Sequence, residues 1–178
     1  MNSFGIVAAI IVALLAGFFL LAARRPDNFR VQRTVSIKAP SERIFPLLND
    51  FQRWGAWSPY EKKDPAMRRT FSGAAVGKGA VYAFEGNGQV GAGRLEITDV
   101  SPPAKVALML DMIKPMKGHN EIEFILEPTG GNSTTVTWAM RGSCPFFVKV
   151  MGLFFNMDRM IGKDFEAGLA SLKANAEG

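Results

Sequence analysis

The spacing of hydrophobic and polar positions changes along this chain, and each spacing predicts a different kind of element. From Phe4 to Ala23 (FGIVAAIIVALLAGFFLLAA) there is no alternation, only twenty consecutive apolar or small residues. As a helix rising about 1.5 Å per residue, this run reaches about 30 Å, roughly the hydrocarbon thickness of a bilayer. It has no polar face, so it predicts one N-terminal transmembrane helix. From Phe29 to Lys38 the period becomes two, with Val31, Val35 and Ile37 between polar residues, which predicts a strand. Pro40-Ser41-Glu42 opens a short helix through Ile44, Phe45, Leu47 and Leu48, with Pro46 placed in its first turns. An aromatic loop with Phe51, Trp54, Trp57 and Tyr60 follows. Strands are then expected at Met67–Phe71, Ala80–Glu85, Gln89–Val100, Lys105–Ile113, Gly118–Leu126 and Thr134–Met140, divided by Gly, Pro and Asn signals. Asn87-Gly88 suits a tight hairpin.

The last thirty residues change period again. Phe147, Met151, Phe154, Met157, Ile161, Phe165, Leu169 and Leu172 recur at three- and four-residue steps. This predicts one long amphipathic helix with Ser143 as N-cap and Pro145 in its first turn. From Phe146 to Phe155 the only charge is Lys149, so that half is apolar nearly all round and is expected to be buried on most sides or to touch lipid. Strand, short helices, a run of antiparallel strands and a final helix make an α+β order.

Charge orients the chain. A cleaved signal peptide would begin with basic residues, whereas Asn2 and Ser3 stand there, and Arg24, Arg25, Arg30 and Arg33 follow the apolar run. Positive flanks stay on the cytoplasmic side, so the N-terminus is expected outside and the domain in the cytoplasm. The expected organisation is an anchor over residues 1–25 and a single domain over 26–178. Cys144 is the only cysteine, which suits a reducing compartment. The 21 Lys and Arg outnumber the 16 Asp and Glu, a formal net charge of +5 that fits either a domain drawn to anionic head groups or an ordinary basic surface. The basic residues are scattered and carry no nucleic-acid motif, so nucleic acid is not an expected partner.

Five segments in fixed order carry a resemblance: IKAPSERIFPLLNDF (Ile37–Phe51), WGAWSPY (Trp54–Tyr60), GAGRLEITDVSPP (Gly91–Pro103), MIKPMKGHNEIEFILEP (Met112–Pro128) and TTVTWAM (Thr134–Met140). In these the chain resembles the START-like (SRPBCC) helix-grip superfamily, and within it the membrane-anchored polyketide cyclase/dehydrase and lipid-transport relatives. The resemblance covers Phe29 to Ala174. It implies a curved antiparallel sheet around a long C-terminal helix, and a pocket for an apolar or amphipathic small molecule. It does not imply an enzyme, because fold does not fix function.

The candidate chemistry is sparse. His119 and Cys144 lie on neighbouring expected elements, but no nucleophile motif surrounds them, and one His with one Cys cannot supply a usual metal set. Glu121 and Glu123 share a strand face, yet Ile122, Phe124 and Leu126 are the better inward set, leaving the glutamates to pair with Arg and Lys in water. Gly77-Lys78-Gly79 fails as a phosphate loop, and Gly91-Ala92-Gly93 lacks a dinucleotide loop's third glycine; both fit turns or bulges in a bent sheet. No catalytic residue, metal or cofactor is therefore expected. The ligand-cavity candidates are the amphipathic aromatics Trp54, Trp57, Tyr60, Tyr82 and Phe84, with adaptable Met112, Met140 and Met151, and Phe154 from the apolar half-helix. Each also fits plain core. The expected role is a membrane-tethered binder of a hydrophobic, lipid-like ligand, its partners being the bilayer and that ligand. A cyclase or dehydratase using a carboxylate or phenol, and a ligand-free interaction module, are the alternatives.

Overall fold

The computed structural model describes residues 3–178. Helix α1 spans Ser3–Ala23, and its Gly5–Ala23 stretch is long and apolar enough to cross a membrane. A linker of four residues leads to β1 (Asn28–Ile37). Next come α2 (Ser41–Asn49), a 3-10 turn over Phe51–Ala56 and the short α3 (Pro59–Lys63). Six strands follow: β2 (Arg68–Gly73), β3 (Ala80–Glu85), β4 (Ala92–Ser101), β5 (Lys105–Lys114), β6 (Gly118–Gly130) and β7 (Ser133–Ser143). Helices α4 (Phe146–Met151) and α5 (Met157–Glu177) close the chain.

The seven strands form one antiparallel sheet in the order β1-β7-β6-β5-β4-β3-β2, so the first strand joins the last and the remainder run as a meander. Strand alternation sets its faces. On β6, Ile122, Phe124 and Leu126 are buried, while Glu121 pairs with Arg141 and Glu123 with Lys105 at 2.9 Å on the other side. Register shifts at Ala92/Gly93 and Ile97/Asp99 put bulges into β4, which bend a strand and raise its twist. Gly93 is needed at the first bend, because a Cβ there would stand 2.8 Å from both the Asp111 carbonyl and the Phe84 ring. The Asn87-Gly88 connection is a six-residue loop, with the Asn87 side chain accepting from the Gln89 amide at 2.8 Å, in place of the expected tight hairpin.

Helix α5 lies across the sheet and buries Phe165, Leu169, Leu172 and Ala176 at helical spacing. Phe165 stacks on Trp138 of β7, with centroids 4.0 Å apart and planes 10° from parallel. Gly168 lets the helix approach: a Cβ there would stand 2.7 Å from Trp138 and 2.9 Å from Pro59. Arg33 of β1 pins the start of the helix, bonding Asp158 at 3.0 Å and Glu166 at 2.6 Å.

The single long C-terminal helix is corrected. The chain breaks after Met151 and restarts at Met157, where the Asn156 side chain caps α5 by accepting from the Arg159 amide at 2.9 Å. Ser143 ends β7 and does not cap, and the Pro145 that precedes α4 has no side-chain cap bond. The break follows from packing. α4 and the turn after it dock on α1, pairing Phe19 with Phe146 at 6.1 Å and Phe18 with Phe154 at 5.8 Å between centroids, whereas α5 packs on β1. Pro46 is the sixth residue of α2, within its first two turns.

Candidate functional site

A recess of about 530 Å³ lies where the linker after α1, β1 and the α4–α5 junction meet. That size is within the range of small-molecule sites, about 300–1,000 Å³. Phe29 and Val31 of β1, Val148 of α4, and Leu153, Phe154, Phe155 and Met157 supply apolar lining. Arg25, Lys149, Asp158, Asn156 and Cys144 supply polar groups, while the Arg30 guanidinium turns to the outer face of the sheet and bonds Gln32 at 2.8 Å. The linker is fastened to the domain beside it: the Cys144 amide donates to the Asp27 carbonyl at 2.6 Å, and the buried Lys149 ammonium donates to the Asp27 carboxylate at 2.5 Å. An ammonium this buried requires such a partner. Burial raises the Cys144 thiol pKa, and the positive charges of Lys149 and Arg25 act against that rise.

The rim is apolar and uncovered. Phe146, Phe147, Met151, Phe154 and Phe155 are all exposed, Phe154 at 69%, beside the last turns of α1. Contiguous exposed apolar surface of this kind marks an interaction face.

The sequence-derived candidates fall into distinct places. Phe154 borders the recess, and Met151 lies on the exposed rim. Trp54 and Trp57 are buried, their indole N–H groups donating to the Leu48 and Leu47 carbonyls at 3.1 and 2.8 Å. Both pack edge-on to Phe124, and Trp57 also meets Trp138 at 5.6 Å. Tyr60 is half-buried, and desolvation with the nearby Asp164 charge raises its phenol pKa. Met140 is buried in the core, Met112 is half-buried near Gly91, and Phe84 packs over Gly93. His119 is exposed and bonded to Asp111 at 2.5 Å.

Sequence reasoning passed over a polar cluster beside the core. The Tyr82 phenol donates to Glu61 at 2.5 Å, and the same carboxylate takes the Arg69 guanidinium at 2.6 Å. Desolvation, and then Glu61, raise the Tyr82 pKa. A phenol so held keeps its proton, and the carboxylate is already paired. Among the described residues no group of three or more His, Cys, Asp or Glu comes together to hold a metal.

A seven-stranded antiparallel sheet gripping a C-terminal helix, with a recess at one end, defines the START-like helix-grip class. Solved structures share the fold. Protein CV1439 of Chromobacterium violaceum superposes with a TM-score of 0.59 at 14% identity, over 86% of this chain and 99% of that one. The Aha1 dimer of Colwellia psychrerythraea gives 0.56 at 23% identity, over 84% and 96%. Ara h 8.0201 gives 0.57 at 8% identity, over 84% and 97%. At such identities the likeness shows the fold alone. No curated protein sequence matches the chain. Residues 28–177 match the family described as "Polyketide cyclase / dehydrase and lipid transport", and the chain belongs to that family.

Proposed function

We propose that this protein is a membrane-tethered binding protein for an amphipathic, lipid-like molecule, which it exchanges with the adjacent leaflet through the recess beside its anchor. One observation carries the reading: the recess opens where α1 ends, and its uncovered rim is the apolar α4 docked on α1. With α1 across a bilayer, Phe18 and Phe19 lie within its last six residues, so the Phe154 and Phe146 rings paired with them lie at the membrane boundary. Lipid then covers the rim, and a ligand reaches the recess without crossing water.

The Arg24, Arg25, Arg30 and Arg33 flank supports the N-terminus outside and the domain in the cytoplasm. Phe154 and Met151 serve as the mouth of the site. Trp54, Trp57, Tyr60, Tyr82, Phe84, Met112 and Met140 form the packed body behind it. The second reading, an enzyme of the cyclase or dehydratase kind in which a phenol or a carboxylate moves a proton, gains no support from the Glu61–Tyr82–Arg69 cluster, where the phenol holds its proton and the carboxylate is paired.

Native mass spectrometry of the full chain released from lipid nanodiscs tests the choice. The binding reading expects a retained amphiphile of unaltered mass. Chemical change of that amphiphile on incubation favours the enzyme. Bare protein under conditions that keep lipid on α1 leaves an interaction module. A reporter fused after Gly178 tests topology, and an exported signal refutes the cytoplasmic placement.

A further inference from the structure

The chain passes from α1 into the sheet at one end of it, and the β5–β6 turn lies at that same end. Strand register shows how far the turn projects. Phe29 of β1 faces Gly142 of β7, Gly142 faces Asn120 of β6, and Asn120 faces Leu110 of β5, one row across four strands. From this row the chain runs back four residues to Arg25, whose amide bonds the Ala22 carbonyl at 3.1 Å in the last turn of α1. β5 also runs four residues out, from Leu110 to Lys114, before the chain returns at Gly118. That length of strand covers about 13 Å, and the linker can cover no more than about 14 Å. The turn therefore projects from the row as far as the end of α1 does, three strand spacings or about 14 Å to the side. Its side chains are apolar and uncovered: Ile113 is 57% exposed and Met116 48%, with exposed Lys114 and Lys117 beside them. Outside α1, all the other exposed large apolar side chains among the described residues belong to α4 and the start of α5, except Phe71 and Val76. Lys114 is 3.5 Å from Glu85, an exposed pair that holds it only weakly, and Asp111 is taken up by His119 at 2.5 Å.

We infer that the β5–β6 turn is a second membrane contact, with Ile113 and Met116 entering the interface of the leaflet that holds the end of α1, and Lys114 and Lys117 meeting its anionic head groups. This rests on the tethered reading above and does not depend on a ligand in the recess. The occupant is the bilayer, because α1 already brings it to this end of the sheet and the basic flank complements its anionic surface. Lysine suits the position: its stem lies along apolar neighbours while the ammonium stays among the head groups. A single helix and a short linker would leave the domain free to roll about α1. A contact three strands away removes that freedom and holds the α4 rim against the lipid.

The full chain in phosphatidylglycerol-containing nanodiscs, with Cys144→Ser as background, tests this. An environment-sensitive NBD fluorophore is attached at Met116→Cys in the turn, at Leu21→Cys in α1, or at Glu127→Cys, which is exposed toward the other end of β6. Lipids with a nitroxide in the acyl chain quench only a label that reaches them. The inference predicts blue-shifted, quenched emission at positions 21 and 116 and neither change at 127. Fluorescence lifetimes at position 116 give the ratio of lipid-contacting to free turn. Lys114→Gln/Lys117→Gln should lower that ratio about tenfold, since each lysine near an anionic surface is worth about fivefold. Quenching at 21 without quenching at 116 overturns the second contact and leaves the tether standing. No quenching at 21 overturns the tether and the contact with it. Equal quenching at 116 and 127 shows a domain lying on lipid without orientation and overturns the contact. An unchanged ratio in the lysine variant removes the head-group attraction. Ile113→Cys supplies a second label site in the same turn should Met116→Cys fold poorly.

Discussion

On the proposed membrane-tethered reading, replacing both Phe154 and Phe155 by serine should release α4 from its seat against α1 and the bilayer. The two rings are exposed at 69% and 52% in the structure. With about 200 Å² per phenylalanine, together they present about 240 Å² to whatever covers them. At about 25 cal/mol per Å², complete coverage by lipid is worth about 6 kcal/mol, and half coverage about 3 kcal/mol. A helix of six residues has almost no stability of its own, so protection of its amides depends on what it packs against. The reporting amides are those of Lys149, Gly152, Leu153, Phe154 and Phe155, bonded to carbonyls one turn back. Hydrogen exchange by mass spectrometry on the full chain in nanodiscs follows them directly. The double substitution should lower protection of the 146–155 peptide about hundredfold, with β6 and β7 unchanged. Equal protection in variant and parent would show that lipid contributes nothing to the seating of α4, and the membrane-facing rim would be refuted.

Gly168→Leu forces a side chain into Trp138 and Pro59 where a Cβ alone already stands under 3.0 Å from both, so it should cost about 1–3 kcal/mol and lower the melting temperature. The Arg33 guanidinium holds the Asp158 carboxyl below its ordinary range, so this pair's stabilisation is complete above the usual carboxylate titration and disappears as pH falls through the lowered value. Arg33→Gln should flatten that limb of an acid unfolding curve, and an unchanged limb counts against the pair. Tyr60 and Tyr82 are the only tyrosines, and both phenols are raised, so their stabilisation persists below the ordinary tyrosine pKa and is lost as pH rises beyond it. Phenolate absorbance should therefore appear together with alkaline unfolding, and phenolate in a still-folded chain contradicts the burial.

Local pattern made the strands legible. Val31 and Ile37 in β1, and Ile122, Phe124 and Leu126 in β6, face the core as their alternation requires, and the paired glutamates face water. Strand ends shifted by a few residues, as where Gln89 and Val90 belong to the loop before β4. The C-terminal helix misled because Phe147, Met151, Phe154, Met157 and Ile161 keep helical spacing across the break. Only the docking of α4 on α1 decides that the chain turns there, and spacing carries no record of a contact between residues 19 and 146. The recess was illegible for the same reason. Arg25 reads as a membrane flank, and its meeting with Cys144 and Phe154 depends on the Asp27–Lys149 clamp, whose partners are 122 residues apart. Glu61, in a Glu-Lys-Lys run, reads as surface charge until the fold sets it against Tyr82 and Arg69.

The central claim is that an amphiphile occupies the recess between anchor and domain. A fatty acid bearing a diazirine in its chain, added to the full protein in nanodiscs, photolysed and mapped by peptide mass spectrometry, tests it most directly. The account predicts adducts on residues 25–31 and 144–157, reduced when Cys144→Trp fills the space. Adducts confined to the lipid-facing side of α1, or concentrated at Tyr82, Phe84 and Met112, would contradict it.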